Sequence, residues 1–233
     1  MTDEIVPITM PGIHDRFVPF FDALAGNGER SRLHVLDAGA GHGALSKRLD
    51  EAGFAVSACD FAPELFRYQR VECRRADLTE RLPYDDASFD FVVAVEVMEH
   101  IPDHETFFRE AHRVLKPGGR LVVSTPNILS LKSRLRFLLS GFFYSFKPID
   151  RARDNGLQHV ASLTLDQYRY VAGRSGLTLE SVACDKYQRS SLALLWLAPA
   201  VYAFSGLAGI EFKVHNTLDL LLGRILFLAF RKS

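Results

Sequence analysis

The chain has 233 residues, enough for one α/β domain with a well-buried core, and we expect a single domain over residues 1–233. Lys plus Arg and Asp plus Glu both number 28, so no overall positive field attracts nucleic acid, and we expect no such partner. Cys59, Cys73 and Cys184 lack disulfide or metal-ligand spacing, and the acidic N-terminus lacks the features of a secretion signal. Both observations predict reduced thiols in a cytoplasmic protein.

Strand and helix patterns alternate through the first half of the chain, as in a parallel sheet built from βαβ units. Apolar runs predict strands at 33–37, 54–59, 71–76, 89–95 and 120–124. Helical spacing between them predicts helices at 44–52, 63–70 and 104–115. A helix at 163–175 and a closing pair of strands at 177–186 and 225–231 complete the predicted domain.

The first predicted strand ends at Asp37 and continues directly into a glycine-rich turn, Gly39-Ala40-Gly41-His42-Gly43. Glycine permits positive φ and leaves no Cβ in the way of a ligand, so the turn predicts a place where a nucleotide-like molecule meets the backbone. The turn also satisfies the loose dinucleotide pattern G-x-G-x-x-G/A. An NAD(P)-dependent oxidoreductase is therefore one alternative at this point.

Three further predicted strands end at acids: Asp60, Asp77 and Glu96. Ligands of open α/β sheets lie beyond the carboxyl ends of the strands, so these acids and Asp37 are predicted to face one crevice. Asp60 follows Gly39 by about twenty residues, the spacing at which an acid accepts hydrogen bonds from ribose hydroxyls.

Three segments together carry a family resemblance: Asp37-Ala-Gly39-Ala-Gly41, Glu96-Val-Met-Glu99-His100, and the turn at 112–119 before the fifth strand. Over about residues 33–126 the chain resembles the class I S-adenosylmethionine-dependent methyltransferases. It looks most like the branch of the ubiquinone-biosynthesis O-methyltransferases, or type 11 methyltransferases. The resemblance implies a Rossmann-like, seven-stranded, mostly parallel sheet in the order 3-2-1-4-5-7-6, with helices on both faces.

The resemblance also implies S-adenosylmethionine as cofactor and in-line transfer of its methyl group, with most of the acceleration coming from positioning. The expected acceptor is a small or lipid-linked molecule methylated on oxygen. In the family, the positions of Asp77 and Leu78 meet the adenine edge. The residues expected to bind the cofactor are Asp37, Gly39, Ala40, Gly41, Asp60, Phe61, Asp77, Leu78 and Glu96.

Removal of a hydroxyl proton from the acceptor calls for a general base, and histidine has the most suitable pKa. His100 is the first candidate because it follows the fourth strand, where acceptor and methyl group should meet. Glu99 would orient its ring or shape the pocket, and His159 and His14 are second choices. Glu96, Glu99 and His100 are also a permissible ligand set for a divalent cation, but no further ligand is evident and we expect no metal site.

Two apolar segments extend the expected fold. Residues 127–158 contain a predicted helix with one apolar face that basic residues flank, followed by several aromatic residues. This pattern predicts a lid over the site or an interfacial membrane segment. The residues of that face are Ile128, Leu131, Leu135, Leu138, Leu139 and Phe142.

The second apolar segment, 190–222, contains a charge-free run at 192–210 that would form about 28 Å of helix. A single transmembrane span is disfavoured, because it would place the last two predicted strands on opposite sides of a bilayer. We therefore expect peripheral contact with the inner face of a membrane through 127–147 and 190–210. A membrane-attached interaction protein that keeps the crevice but has no catalytic activity is the non-enzymatic alternative.

Overall fold

The computed structural model describes residues 5–152 and 156–233. Seven strands form one sheet in the order β3-β2-β1-β4-β5-β7-β6, which confirms the predicted order. The strands are β1 His34–Ala38, β2 Ala55–Asp60, β3 Cys73–Arg75, β4 Phe89–Ala94, β5 Leu115–Pro126, β6 Leu177–Cys184 and β7 Ile225–Lys232.

Strands β1 to β5 pair in parallel, whereas β7 runs antiparallel to both β5 and β6. The carboxyl ends of β3, β2, β1 and β4, which are neighbours in that order, consequently meet at the same edge of the sheet. This edge is where the glycine-rich turn and the predicted acids lie.

The helices cover both faces of the sheet. They are α1 Ile13–Ala25, α2 Ala44–Glu51, α3 His104–Val114, α4 Leu131–Ser140, α5 Leu165–Arg174, α6 Arg189–Ala193, α7 Ala198–Leu207, α8 Phe212–His215 and α9 Leu218–Leu222. Single 3₁₀ turns occur at Arg30–Arg32, Pro63–Leu65, Met98–His100 and Leu195–Leu197.

Alternating strand residues build a separate core on each face of the sheet, because successive side chains of a strand point to opposite sides. On one face, Phe17 of α1 and Leu49 of α2 pack with Val35 and Val93. On the other face, Leu36 and Val92 pack with Phe108 of α3 and Tyr168 of α5. Both faces of the central strands are thus buried, as the continuous apolar run at 89–95 predicted.

Two predicted elements are much shorter than expected. The helix expected at 63–70 is only the 3₁₀ turn Pro63–Leu65, because the backbone of Phe66 is extended. Tyr68 and Val71 then pack with Ala58 in a small core. The third strand, expected at 71–76, shrinks to β3 for the same reason.

The fifth strand is longer than predicted because it starts before the turn at 116–119. A register shift between Phe89 and Phe91 accommodates the extra residues opposite β4. The Lys116 ammonium donates a hydrogen bond to Asp90 Oδ2 at 2.7 Å and holds this irregular segment to the sheet.

The apolar face predicted within 127–158 divides into two parts. Ile128 and Leu131 are buried, whereas Leu138 and Leu139 near the end of α4 are exposed. Residues 190–222 form the short helices α6 to α9 before the last strand. Among residues 5–152 and 156–233, no helix has the length and apolar character needed to cross a membrane.

The glycine-rich turn is held against its neighbouring strands. The amides of Gly39 and Ala40 both donate to the carbonyl of Cys59 at the end of β2, at 2.8 and 3.1 Å. Gly39 has φ of 78°, and a Cβ at this position would lie 2.5 Å from Val97 Cγ2. Both the backbone conformation and the space therefore require glycine.

We expect Gly39→Ala to destabilise the fold more than a glycine replacement of similar φ in open space. Gly141 is the matched control, since its φ is 71° and no atom lies within 4 Å of its added Cβ. Both alanines meet left-handed backbone strain, but only Gly39→Ala must displace the branched Val97 side chain, at an extra cost of about 1–3 kcal/mol. Urea denaturation of both variants measures the difference, and equal losses would contradict the packing argument.

Candidate functional site

Asp37 lies beneath the glycine-rich turn. Its side chain is only 2 % exposed, and Oδ2 accepts a hydrogen bond from the Ser46 hydroxyl of α2 at 2.6 Å. Burial raises the pKa of Asp37 to about 6, the Ser46 hydrogen bond opposes this, and the nearby Asp60 raises it further. Asp37 therefore ties α2 to the start of the turn.

Asp60 and Asp77 lie side by side where β2 and β3 end. Asp60 accepts hydrogen bonds from the Gly41 amide through Oδ2 at 2.8 Å and from the Ala62 amide through Oδ1 at 2.9 Å. Asp77 Oδ1 accepts from both the amide and the hydroxyl of Thr79. These bonds fix both carboxylates at the mouth of the crevice.

The two residues that follow these acids differ in what they offer a ligand. Phe61 is 70 % exposed beside Asp60, so its ring is free to cover a bound molecule. Leu78 is buried in the core, which leaves its backbone as the part that a ligand can reach.

Glu96 follows β4 and has φ of 55°, an uncommon conformation for a residue other than glycine. Its amide donates to the Ser124 hydroxyl of β5 at 2.7 Å, and Oε2 accepts from the Met10 amide at 2.6 Å. The other carboxylate oxygen, Oε1, is buried without a partner in the described part of the chain. Burial raises the pKa of Glu96 above its ordinary value.

Residues 5–10, here called the N-terminal strap, lie across the glycine-rich turn. The Val6 carbonyl pairs with His42 Nδ1 at 3.1 Å, and Ile8 Cδ1 comes within 3.2 Å of where a Cβ of Gly41 would be. Met10 makes the bond to Glu96 described above. No sequence signal predicts the strap, because these residues have no helical or strand period and belong to no recognised motif.

The structure thus brings the four predicted acids to one edge of the sheet. The acids lie at the ends of four adjacent strands, in the order Asp77, Asp60, Asp37 and Glu96. Among these four, only Asp37 is buried. The amides of Gly39, Ala40 and Gly41 are used to fix the turn, whereas Glu96 Oε1, without a partner among the described residues, can accept from an ammonium or hydroxyl group. These features suit a ligand with several hydroxyl and amine donors.

A second cluster, made by Glu99, His100 and His159, lies next to Glu96. One ligand atom from each of these three side chains lies within 4.8 Å of the others. The rings of His100 and His159 meet edge to face with centroids 4.9 Å apart. The amides of Val160 and Ala161 donate to the Glu99 carbonyl at 2.8 and 3.2 Å, which docks the distant segment carrying His159.

A hydrogen bond fixes the orientation and the tautomer of the His100 ring. Its Nδ1 lies 3.0 Å from the Gln158 carbonyl, which can only accept, so Nδ1 carries the hydrogen and Nε2 keeps its lone pair. Burial lowers the pKa of His100 and of His159. Both imidazoles are therefore neutral at physiological pH.

Glu99 is 1 % exposed, and Oε2 has no partner among the described residues. Burial raises the pKa of Glu99 to about 8, and the charge of Glu96 adds to this effect. At neutral pH the Glu99 carboxyl is thus largely protonated and can act as a hydrogen-bond donor within the cluster.

The cluster is also a chemically suitable set of ligands for a divalent cation, since one carboxylate and two imidazoles are common metal ligands. The ligand set considered from the sequence was Glu96, Glu99 and His100. In the structure Glu96 accepts a hydrogen bond from the strap, and His159 joins Glu99 and His100 instead. The further ligand that the sequence did not reveal comes from a segment about sixty residues away in the chain.

His14, the remaining histidine candidate, is not brought to this cluster. It is buried on α1, where its neighbours Ile13 and Phe17 pack on the opposite face of the sheet from Met98 and Ile101, which flank the cluster. Burial lowers the pKa of His14 to about 4, with Arg48 acting in the same direction. It is therefore best explained as a neutral core histidine.

An open cleft of about 500 Å³ adjoins the cluster on the side of His159. Phe146 meets the His159 ring at a centroid distance of 5.5 Å. The cleft is lined by Phe142, Phe146, Lys147, Pro148, Ile149, Arg151, His159 and Val160. Its wall is apolar and aromatic with two cationic side chains, and it is open to solvent.

We expect Asp37→Asn to stabilise the fold at pH 7.5 by about 1–3 kcal/mol, because it removes the cost of a buried carboxylate whose pKa is raised to about 6. The gain should decline as pH falls through 6 and vanish below about 4, where Asp37 is protonated in both the folded and the unfolded state. Urea denaturation at pH 7.5 and pH 4 measures the difference. The exposed Asp85→Asn is the control and should change stability by under about 0.5 kcal/mol at both pH values. A gain for Asp37→Asn that does not depend on pH would contradict the argument.

Sequence comparisons give the same assignment as the motifs. Residues 36–123 match the sequence family described as "Methyltransferase domain". The ubiquinone biosynthesis O-methyltransferase of Xanthomonas oryzae pv. oryzae is 38 % identical over 102 residues, which are 40 % of this chain and 43 % of that protein. The demethylmenaquinone methyltransferase of Tropheryma whipplei is 40 % identical over 95 residues, 38 % of this chain and 40 % of that protein. The chain thus spans less than half the length of these relatives.

The fold has close counterparts among solved structures. An S-adenosylmethionine-dependent methyltransferase from Mesorhizobium loti superposes with a TM-score of 0.59 at 19 % identity, over 93 % of this chain and 98 % of that one. At this identity the likeness shows the fold. Residues 36–123 therefore resemble a methyltransferase domain in sequence, and the chain has a Rossmann-like, seven-stranded fold shared with that solved structure, as the motifs predicted.

Proposed function

We propose that this chain is an S-adenosylmethionine-dependent methyltransferase that methylates oxygen on a small or lipid-linked acceptor. The observation that carries the proposal is the Glu99, His100 and His159 cluster, which lies between the acid-lined crevice and the aromatic cleft. A cofactor in the crevice and an acceptor in the cleft would meet at this cluster.

The crevice offers a group for each part of the cofactor. Asp60 would accept hydrogen bonds from the ribose hydroxyls, and charge-assisted bonds of this kind orient a sugar strongly. Asp77 and the Leu78 backbone would address adenine, beside the exposed Phe61 ring. The unpartnered Glu96 Oε1 would accept from the ammonium group of the methionine part. When bound, the cofactor supplies an electrophilic methyl group on a sulfonium.

His100 is the proposed general base. Its Nε2 keeps a lone pair, since Nδ1 donates to the Gln158 carbonyl, and its lowered pKa keeps the ring neutral at physiological pH. His159 and the protonated Glu99 would hold the His100 ring and the acceptor hydroxyl in place. Proton removal makes the acceptor oxygen a better nucleophile, while orientation of the two reactants supplies much of the acceleration.

The cleft favours an aromatic acceptor with apolar substituents. Phe142 and Phe146 offer ring faces, and Lys147 and Arg151 would stabilise the negative charge of a phenolate. The relatives named for ubiquinone and menaquinone synthesis support an acceptor of the quinol type. A polyprenyl tail on such a molecule would link the reaction to a membrane, and we include peripheral contact with the inner face of a membrane through 127–147 and 190–210 in the proposal.

We expect Asp60→Asn to weaken S-adenosylmethionine binding by about 10–100-fold, because hydrogen bonds to a charged acceptor contribute about 1.5–3 kcal/mol. Isothermal titration calorimetry measures the affinity. Asp90→Asn is the control, since Asp90 lies at the amino end of β4, on the edge opposite the crevice, and should leave the affinity unchanged. Binding of NAD(H) by the unaltered protein, without binding of S-adenosylmethionine, would overturn the proposal in favour of an oxidoreductase.

We expect His100→Gln to lower kcat by about 10²–10⁴-fold while the affinity for S-adenosylmethionine is retained, because the variant loses the base but keeps the crevice. Transfer of a labelled methyl group to a quinol-type acceptor measures kcat. The exposed His34→Gln at the opposite edge is the control. Unchanged turnover by His100→Gln would exclude the base. Cofactor binding with no transfer to any acceptor in a lipid extract would favour the non-catalytic alternative.

Chelation separates the two roles that the cluster could have. A general base needs no metal, so under our proposal dialysis against EDTA leaves activity intact. Loss of activity on chelation, with recovery on addition of Mg²⁺ or Zn²⁺, would instead assign Glu99, His100 and His159 as cation ligands. Glu99→Gln would then abolish the recovery, since an amide is a much weaker ligand than a carboxylate.

A further inference from the structure

The segment 192–210 presents an outer surface made only of apolar side chains and glycines. We call this surface the C-terminal apolar face. Trp196 is 73 % exposed, Phe204 70 % and Leu207 89 %. Its other large members are Leu192, Leu195 and Ile210. Such an apolar surface is unusual on a monomer and marks a site of contact.

The burial pattern of this segment is the reverse of that in an ordinary surface helix. Its exposed members recur every three to four residues from 195 to 207, which places them on one helical face. The polar side chains of the region point inward instead: Ser205 and Asn216 are buried, and Asn216 Nδ2 donates to Ser205 Oγ at 3.2 Å. The outer surface is thus the one suited to an apolar surrounding.

Local charge indicates what covers this face. The chain is neutral overall, yet the two apolar segments 127–149 and 186–210 hold six basic residues and no acidic ones. Three acids lie directly beside them, Asp150, Asp185 and Glu211, of which Asp185 is paired with Arg224. Arg134 is used inside the fold, where it donates to Asn216 and to the His215 carbonyl. The remaining five are Lys132, Arg136, Lys147, Lys186 and Arg189.

The two segments are neighbours in space. Leu131 of α4 packs with Ala198 of α7 and Leu222 of α9 in one small core. The two segments that carry these basic residues thus contribute to one apolar region, and apolar surface combined with basic residues is typical of a surface that binds anionic lipid.

We propose that the C-terminal apolar face, with the exposed Leu138 and Leu139 at the end of α4, docks on an anionic lipid bilayer and lies in its interface. The ten residues of α7 make about 15 Å of helix, too short to span a membrane but sufficient to lie along its surface. Trp196 has an amphipathic ring, and such rings favour the interface between lipid headgroups and hydrocarbon.

A second copy of the chain fits this face less well. Protein interfaces carry about one hydrogen bond per 100–200 Å². The exposed residues of 192–210, all of them in the described part of the chain, are apolar or glycine, and among them the Trp196 indole N–H alone is a side-chain hydrogen-bonding group. A fluid hydrocarbon layer does not require hydrogen-bond partners on the surface that it covers.

The inference deepens the proposed function and rests on it only for the acceptor. The aromatic cleft begins at Phe142, directly after α4, so a face docked on lipid would bring the cleft close to the bilayer. An acceptor with an apolar tail could then enter the cleft while the tail stays in the membrane.

Flotation of the full chain with vesicles tests the proposal. We expect binding to vesicles of phosphatidylglycerol and phosphatidylcholine, and at least tenfold weaker binding to pure phosphatidylcholine. Trp196→Ser/Phe204→Ser should reduce binding to the anionic vesicles at least tenfold. Tyr170→Ser on α5 is the matched control, as Tyr170 is an aromatic residue 65 % exposed elsewhere, and it should bind as the unaltered chain does.

Lys186→Gln/Arg189→Gln should weaken binding to anionic vesicles about tenfold and reduce its salt dependence. S-adenosylmethionine titration without lipid should give the same affinity for all these variants, which shows that they are folded. Flotation without cofactor binding would sink the proposed function and leave the docking intact. Cofactor binding without flotation would overturn the docking. A concentration-dependent dimer that Trp196→Ser/Phe204→Ser abolishes, again without flotation, would assign the face to a second copy.

Discussion

The parallel pairing of β3, β2, β1 and β4 is the constraint on which the rest of the structure depends. Parallel strands end at the same edge, so acids that are far apart in sequence meet there without any direct interaction between them. The turn after β1 is then held to β2 by two amides that donate to one carbonyl, that of Cys59. Gly39 allows this close approach, because any side chain would collide with Val97 after β4.

Two acids at this edge of the sheet lower the free energy of unfolding. Asp37 is buried with a raised pKa, and Glu96 combines left-handed backbone with an unpartnered oxygen. Each feature disfavours the folded state on its own, and the surrounding sheet enforces them. Ser46 and Ser124 reduce the cost by one hydrogen bond each. The N-terminal strap closes over the same edge through Met10, so a ligand that entered the crevice would have to displace or share that bond with Glu96.

The parts that distinguish this chain lie outside the sheet edge. The segment after β5 provides α4, the aromatic cleft and His159, while the segment before β7 provides the C-terminal apolar face. The Glu99 carbonyl connects the first of these to the crevice by accepting from Val160 and Ala161. The acids and the cluster thus lie at the edge of the sheet, whereas the cleft and the apolar face are carried by elements added to the sheet.

The sequence by itself determined the sheet and its chemistry. Apolar strands that end in acids, with glycines at fixed offsets, are local patterns, and parallel pairing converts them into a common crevice. It did not determine that the 63–70 segment unwinds after one turn, because Tyr68 and Val71 gain more from core packing than from helical hydrogen bonds. Nor could it reveal the N-terminal strap or the joining of His159 to His100. Those depend on contacts between distant segments, which leave no periodic signal in the chain and which only tertiary packing decides.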